Sequence, residues 1–400
     1  MNLISKTKNI TRDTALSHFL LMFGYKLFSL YFPLYLISKN FSLAQVGYTN
    51  FLIYLPLAFF APFAGFLNHK INAAILMVLG ILGYVAYSLG MISFPNLIVF
   101  YGLQIMLGIS AALFFVSSRT ILMGSKLKNP DTSFGWFYLA ASYADAFAPA
   151  AGALFIWKFG FMGVFIAAAI IQLIAGIFGF IKLRNAPACE TNNLPAKECI
   201  NNYKQVFKTI KTKGSWFFIG LAFLVLILGG FNNTFFPLFL KSLGWSINQI
   251  LIFNSILSII FLPLSIFVIK QINKLKSEEN LLVGSEIVGI FSILLGLLSG
   301  VLNYIIAFLV MIGREVGGLM SGSGRSGLLS TKLEKYPQES AAIDTIFSPF
   351  ATAFGALFGG LIISTFGYQA IFIGLGILIF IVALYGINLS ETIKLFPKRK

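Results

Sequence analysis

Phe32-Pro33-Leu34-Tyr35-Leu36, followed by Ser38, Phe41-Ser42-Leu43 and Gln45-Val46, returns 204 residues later as Phe236-Pro237-Leu238-Phe239-Leu240, Ser242, Trp245-Ser246-Ile247 and Gln249-Ile250. The correspondence continues outward. Ser118-Arg119 is matched by Gly324-Arg325, and after one inserted residue Ala146-Phe147, Gly152, Leu154, Phe159-Gly160 and Phe165-Ile166 are matched by Ala353-Phe354, Gly359, Leu361, Phe366-Gly367 and Phe372-Ile373. Apolar stretches align by chance, but Pro, Gly, Arg and Gln held together at one spacing do not. The chain is therefore read as a parallel internal repeat of two halves.

What repeats is membrane-spanning helix. The 400 residues are 58% hydrophobic and only 10% charged, with a mean hydropathy of +0.88, whereas soluble globular chains carry about a quarter charged residues. Apolar runs broken by short polar punctuation predict twelve spans. The first six lie at 14–37, 44–67, 72–92, 95–124, 134–157 and 161–183; the second six lie at 216–240, 246–270, 280–300, 303–329, 341–364 and 367–388. Lipid leaves backbone groups nothing to bond outside the chain, so these spans are expected as helices, and they are too long for barrel strands. The fold class is an all-α polytopic membrane protein: a six-helix bundle over 1–183, a linker over 184–214, a second bundle over 215–390 and a basic tail over 391–400. The leader before the first span lacks a signal-peptide cleavage site and is expected to stay.

The formal charge of +16 could suggest a nucleic-acid partner, but its placement follows topology instead. Of the 29 Lys and Arg residues, 22 fall on the side of the termini, the linker and the even-numbered loops; Lys39, Lys158 and Lys241 alone fall on the other. By the positive-inside rule both termini and the linker are cytoplasmic, in the cell membrane, with the bilayer as partner. Two cysteines, Cys189 and Cys199, and two histidines, His18 and His69, are too few for a disulfide framework or a Cys- or His-rich metal cage. No metal, cofactor or nucleic acid is expected.

Six plus six helices joined by a charged cytoplasmic linker resemble the major facilitator superfamily, and the resemblance covers essentially the whole chain. Phe41-Ser42-Leu43-Ala44-Gln45-Val46-Gly47 looks like that family's external loop leading into the second helix, and Ala148-Pro149-Ala150-Ala151-Gly152 resembles the Gly-Pro motif of its antiporters, with alanine for glycine. The loop Gly65-Phe66-Leu67-Asn68-His69-Lys70 keeps the family's glycine and its base, Lys70, but puts His69 where the family's pattern has an acid. The resemblance implies two bundles rocking about a central cavity lined mainly by spans one, four, seven and ten. Prolines at 33, 56, 237 and 263 suit kinks, and small pairs such as Gly313 and Gly317, Gly318 and Gly322, and Ala148 and Gly152 suit close crossings.

Four charges, Lys26, Asp145, Arg314 and Glu315, fall near the middle of spans. Each costs about 2.5–3.5 kcal/mol at a helix centre, so each should face protein or water and find a partner. A carboxylate in such a place can carry a proton, because desolvation favours its neutral form. A lysine or arginine beside it attracts an anionic group, arginine with two parallel hydrogen bonds. Lys26 with Asp145 is also open to reading as a permanent structural pair. Arg314 and Glu315, about 100° apart around their helix, cannot face the same way; they are expected to form the functional core of the tenth span. Gln104, Asn232 and Tyr25 are further cavity candidates. Arg119, Arg325 and Asp344, near the cytoplasmic ends, are candidates for gating or structural pairs, as are Pro149, His69 and Lys70.

These parts suit a secondary active transporter, proton-coupled, moving a small organic or drug-like solute by alternating access, with export favoured and one chain sufficient as a monomer. The 44 Phe and sparse Asn and Gln favour a partly apolar substrate. Sugar or nutrient uptake is the alternative of the same class; a transporter-like receptor is the alternative of another, although no soluble signalling domain is in view. An enzyme is not expected, since no nucleophile and base cluster and no Walker-type loop occurs.

Overall fold

The computed structural model describes residues 3–29, 31–41, 43–93, 96–125, 127–186, 193–212 and 215–395. Lys126, Cys189 and the end of the basic tail, all used in the charge and cysteine reading, lie outside these residues. Among the described residues twelve α-helices follow one another: α1 (Leu3–Ser29), α2 (Phe32–Ser38), α3 (Leu43–Lys70), α4 (Ala73–Gly90), α5 (Leu97–Gly124), α6 (Pro130–Leu183), α7 (Ala196–Thr212), α8 (Ser215–Ser242), α9 (Ile247–Ile272), α10 (Ser277–Leu297), α11 (Tyr304–Lys332) and α12 (Pro337–Leu395), with a 3-10 turn at Ser299–Val301. Every expected span falls on helix, and among the described residues nine helices are long and apolar enough to cross a membrane. The protein is an all-α, multi-pass membrane protein.

Three departures from one helix per span have local causes. The first span is split into α1, ending at Ser29, and α2, starting at Phe32; Pro33 falls in the first turn of α2, where its missing backbone N–H is not needed. By contrast the helices continue through Pro56, Pro237 and Pro263. Spans five and six run together as α6, and spans eleven and twelve as α12, each pair hinged at one left-handed glycine, Gly160 (φ 65°) and Gly367 (φ 76°). These two glycines are repeat equivalents, and an L side chain in that conformation is strained.

The repeated text also explains itself chemically. Ser246 caps α9 by accepting a hydrogen bond from the Gln249 backbone N–H at 3.2 Å, while the Gln249 side chain accepts from the Ser246 N–H at 2.8 Å. Ser-x-x-Gln is thus a helix-start box, satisfying two donors that a helix N-terminus leaves open.

The chain divides into two compact units, Met1–Thr209 with Leu329–Phe350, and Ile210–Leu328 with Ala351–Lys400. In the first, Phe28, Phe32, Tyr35, Tyr87, Phe100 and Phe165 make an aromatic core. In the second, Phe231, Phe236, Phe239, Phe253 and Phe372 do the same. The cores repeat down to individual contacts: Tyr35 meets Phe165 with ring centres 5.6 Å apart, and their counterparts Phe239 and Phe372 meet at 5.3 Å. Small residues set the crossings. A side chain at Gly152 would strike the backbone of Leu27, which fixes α6 against α1, and one at Gly317 would lie 2.6 Å from the Gly284 carbonyl, which fixes α11 against α10. Gly318, by contrast, faces open space.

Candidate functional site

Inside the first unit, helices α1, α3, α4, α5, α6 and α12 enclose a cavity of about 340 Å3. Helical spacing builds its walls. His18, Met22 and Tyr25 fall at i, i+4 and i+7 on α1, and Leu107, Ala111, Phe115 and Arg119 follow at intervals of four on α5, so each set shares one helix face. Tyr54, Tyr84 and Tyr138 add hydroxyls, and the lining cations are Lys26 and Arg119. Among the described residues no carboxylate lines it. The wall is aromatic, and each of its two cations is paired with a carboxylate, Asp145 or Asp344.

Lys26 Nζ lies 2.8 Å from Asp145 Oδ1, with the two side chains 30% and 43% exposed. Both side chains are thus partly exposed, and this pair is far less buried than the second. Arg119 and Asp344 are different, at 7% and 0%. Arg119 Nε sits 3.2 Å from Asp344 Oδ2, an ion pair by distance that lacks the alignment of a hydrogen bond. Its Nη1 donates to Thr345 Oγ1 at 2.6 Å, Tyr138 Oη donates to Asp344 at 3.4 Å, and the guanidinium lies over Phe115, Phe137 and Tyr138 at 5.5–5.9 Å. Breaking such a buried pair by removing one partner costs about 3–5 kcal/mol.

His18, buried against Phe137 with ring centres 4.3 Å apart, donates from Nδ1 to the Phe137 carbonyl at 2.7 Å. A carbonyl can only accept, so Nε2 is left as the acceptor, and it has no hydrogen-bond partner among the described residues. Gln104, expected in the cavity, is fully buried and donates instead to Tyr87 Oη at 3.1 Å, tying α5 to α4. Tyr25 lines the cavity, edge-on to Tyr84. The Pro149 carbonyl accepts from Tyr31 Oη at 3.2 Å.

At the end of α3, His69 Nε2 lies 2.8 Å from Glu339 Oε1, and Asn202 of α7 donates to the same oxygen at 2.9 Å. Burial pushes the Glu339 carboxyl up, but the hydrogen bond and charge of His69, the Asn202 amide and its own backbone N–H outweigh it and hold the group below its ordinary value. Lys70 Nζ donates to the Asn193 carbonyl at 3.0 Å, and the Asn193 N–H returns a bond to the His69 carbonyl.

In the second unit Arg314 is buried; its Nη1 donates to Asn232 Oδ1 at 2.7 Å and the guanidinium lies 5.4 Å from the centre of the Phe372 ring. Glu315, the next residue, is exposed. Arg325 is buried.

The family model of the Major Facilitator Superfamily matches residues 14–343. The chain belongs to that superfamily. Its structure is similar to the human organic anion transporter MFSD10 (TETRAN), with a TM-score of 0.76 and 13% identity over 94% of this chain and 99% of that one. It is similar to the E. coli fucose:proton symporter FucP, with 0.73 and 10% over 94% and 98%, and to the proton:xylose symporter XylE, with 0.70 and 14% over 96% of each chain. No curated protein sequence matches significantly. At these identities the likeness is one of fold, and as a superfamily member the protein is a transporter acting in the lipid bilayer on small solutes.

Within this superfamily frame the structure brings Lys26 together with Asp145, Arg119 with Asp344, and Arg314 with Asn232. It leaves Gln104 outside the cavity and Glu315 exposed. Sequence reasoning missed His18, Tyr54, Tyr84 and Tyr138 as lining groups and Glu339 as the partner of His69. The His18, Met22, Tyr25 face was a usable signal; Glu339, 270 residues from His69, had none.

Proposed function

We propose that the protein is a proton-coupled secondary transporter of small, partly apolar organic anions, with Lys26–Asp145 as the coupling pair and Arg119–Asp344 as a gate. The observation that carries this reading is the contrast between the two ion pairs: one partly exposed, with its lysine lining an aromatic cavity, the other buried and costly to break. A proton placed on Asp145 cancels its charge and releases Lys26, which then takes an anionic group of the solute. Tyr54, Tyr84 and Tyr138 supply ring faces and hydroxyls for the rest of it.

The sign of this coupling follows from charge. Proton and anion help one another to bind, so they travel together; a cationic solute would compete with the proton and be exchanged for it. Co-transport therefore replaces export as the favoured direction, and the Ala148-Pro149 resemblance to antiporters keeps proton exchange of a cationic drug-like compound as a second reading. The human organic anion transporter among the structural neighbours accords with the first. The reading places both termini and the linker on the cytoplasmic side and treats one chain as the functional unit.

Purified protein in liposomes carrying a pH dye, offered organic anions, organic cations and sugars, tests it. Acid outside should drive accumulation of anions with alkaline-to-acid dye change inside. Proton-linked movement of neutral sugars alone would overturn it, and proton-driven extrusion of cations would favour the second reading.

A further inference from the structure

The cluster at the end of α3 contains more than an ion pair. His69, Cys199 and Glu339 are all buried, at 2%, 3% and 0% exposure, and come from three elements, α3, the linker helix α7 and the start of α12. One ligand atom from each lies within 4.8 Å of the other two. Three groups converge on Glu339 Oε1: His69 Nε2 at 2.8 Å, the Asn202 amide at 2.9 Å and Cys199 Sγ at 3.8 Å. The second oxygen, Oε2, is buried with no hydrogen-bond partner among the described residues, an expensive state for half of a carboxylate.

From this geometry we propose that His69, Cys199 and Glu339 form a binding site for a divalent transition-metal ion of the zinc type. Imidazole nitrogen, thiolate sulfur and carboxylate oxygen are the three donor types that Zn2+ takes, and a mixed set of this kind disfavours Mg2+ and Ca2+, which want oxygen throughout. Two carried charges, on the thiolate and the carboxylate, neutralise the ion, so the buried site is uncharged as a whole. The Cys199 thiol gives its proton to water as the metal enters, and His69 binds as neutral imidazole, with the Nε2 lone pair toward the ion and its one remaining proton on Nδ1. Asn202 or a water molecule supplies the fourth position. The ion pins α7 to the ends of α3 and α12, so occupancy ties the linker to one arrangement of the cytoplasmic helix ends. The site itself does not depend on the transport reading, because binding is measured without transport.

The test uses the full-length, metal-stripped protein in detergent, titrated with Co2+ as a spectroscopic stand-in and then with Zn2+. One equivalent of Co2+ should bind with a sulfur-to-cobalt charge-transfer band and the intense visible bands of tetrahedral coordination, and Zn2+ should displace it. Cys199→Ser should abolish the charge-transfer band. Cys199→Ser, His69→Ala and Glu339→Gln should each weaken binding by more than the roughly 10- to 100-fold that loss of a supporting residue costs a metal site. Cys189→Ser should change nothing. Absence of saturable binding to the wild type, or a charge-transfer band that survives Cys199→Ser, would overturn the proposal. Should the ligand variants unfold, the Cys189→Ser chain keeps every ligand and has Cys199 as its sole thiol: Zn2+ should slow alkylation of that thiol on warming by at least about tenfold, and an unchanged rate would overturn the site.

Discussion

Two ion pairs in one unit differ chiefly in burial, and burial decides what each can do. Arg119→Met leaves Asp344 fully buried beside a lost charge and is expected to lower stability by about 3–5 kcal/mol, whereas Arg119→Met with Asp344→Leu should recover most of it, because an apolar pair replaces both charges. Thermal unfolding in detergent with and without the second change measures this, and an additive loss would show that the two residues do not act as a pair. Asp145→Asn should cost less than Arg119→Met by the same measurement, since Lys26 is partly exposed while Asp344 is fully buried. Half of this was legible in the sequence. Lys26 and Asp145 announced themselves because charge is rare at mid-span, and Asp344 was placed near Arg119's end of the membrane. Glu315 was not legible: adjacency to Arg314 fixed their angular separation, but only packing shows that Arg314 turns to Asn232 and Phe372 while Glu315 is exposed.

At the scale of elements, hydropathy located all twelve spans, because a bilayer demands long apolar helices whatever their neighbours do. What it could not show was continuity. Nothing in apolar periodicity distinguishes a loop at Gly160 from a single left-handed residue between two spans, although the matched Phe159-Gly160 and Phe366-Gly367 marked the place. Gly160→Val and Gly367→Val should each cost about 1–3 kcal/mol through backbone strain, since a Cβ at either meets no neighbour and packing adds nothing. Gly152→Leu should also destabilise by at least about 1–3 kcal/mol, but through overpacking against Leu27 on α1. Melting temperatures of Gly160→Ala and Gly152→Ala separate the two causes: the first adds one methyl in open space and reports strain alone, the second reports the crossing. Equal stability of Gly152→Leu and wild type would remove the close α1–α6 contact from the account.

For the whole molecule, the repeat and the superfamily were readable from text, because Pro, Gly and charge punctuate apolar sequence at fixed spacing. The cavity was not, since its wall is assembled from six helices that sequence does not juxtapose. Topology rests on charge asymmetry, and Cys199 is too buried to report on it. A cysteine at exposed Lys211, in a chain lacking the native two, should resist membrane-impermeant thiol reagents in intact cells and react after permeabilisation; rapid labelling of intact cells would invert the topology. The central claim, that Asp145 couples proton movement to solute movement, is tested most directly in proteoliposomes with an imposed pH gradient and a transported anion. Wild type and Glu315→Gln should accumulate the anion against its gradient, while Asp145→Asn should still exchange labelled for unlabelled anion across the membrane yet show no accumulation and no proton uptake. Undiminished pH-driven accumulation by Asp145→Asn would contradict the account.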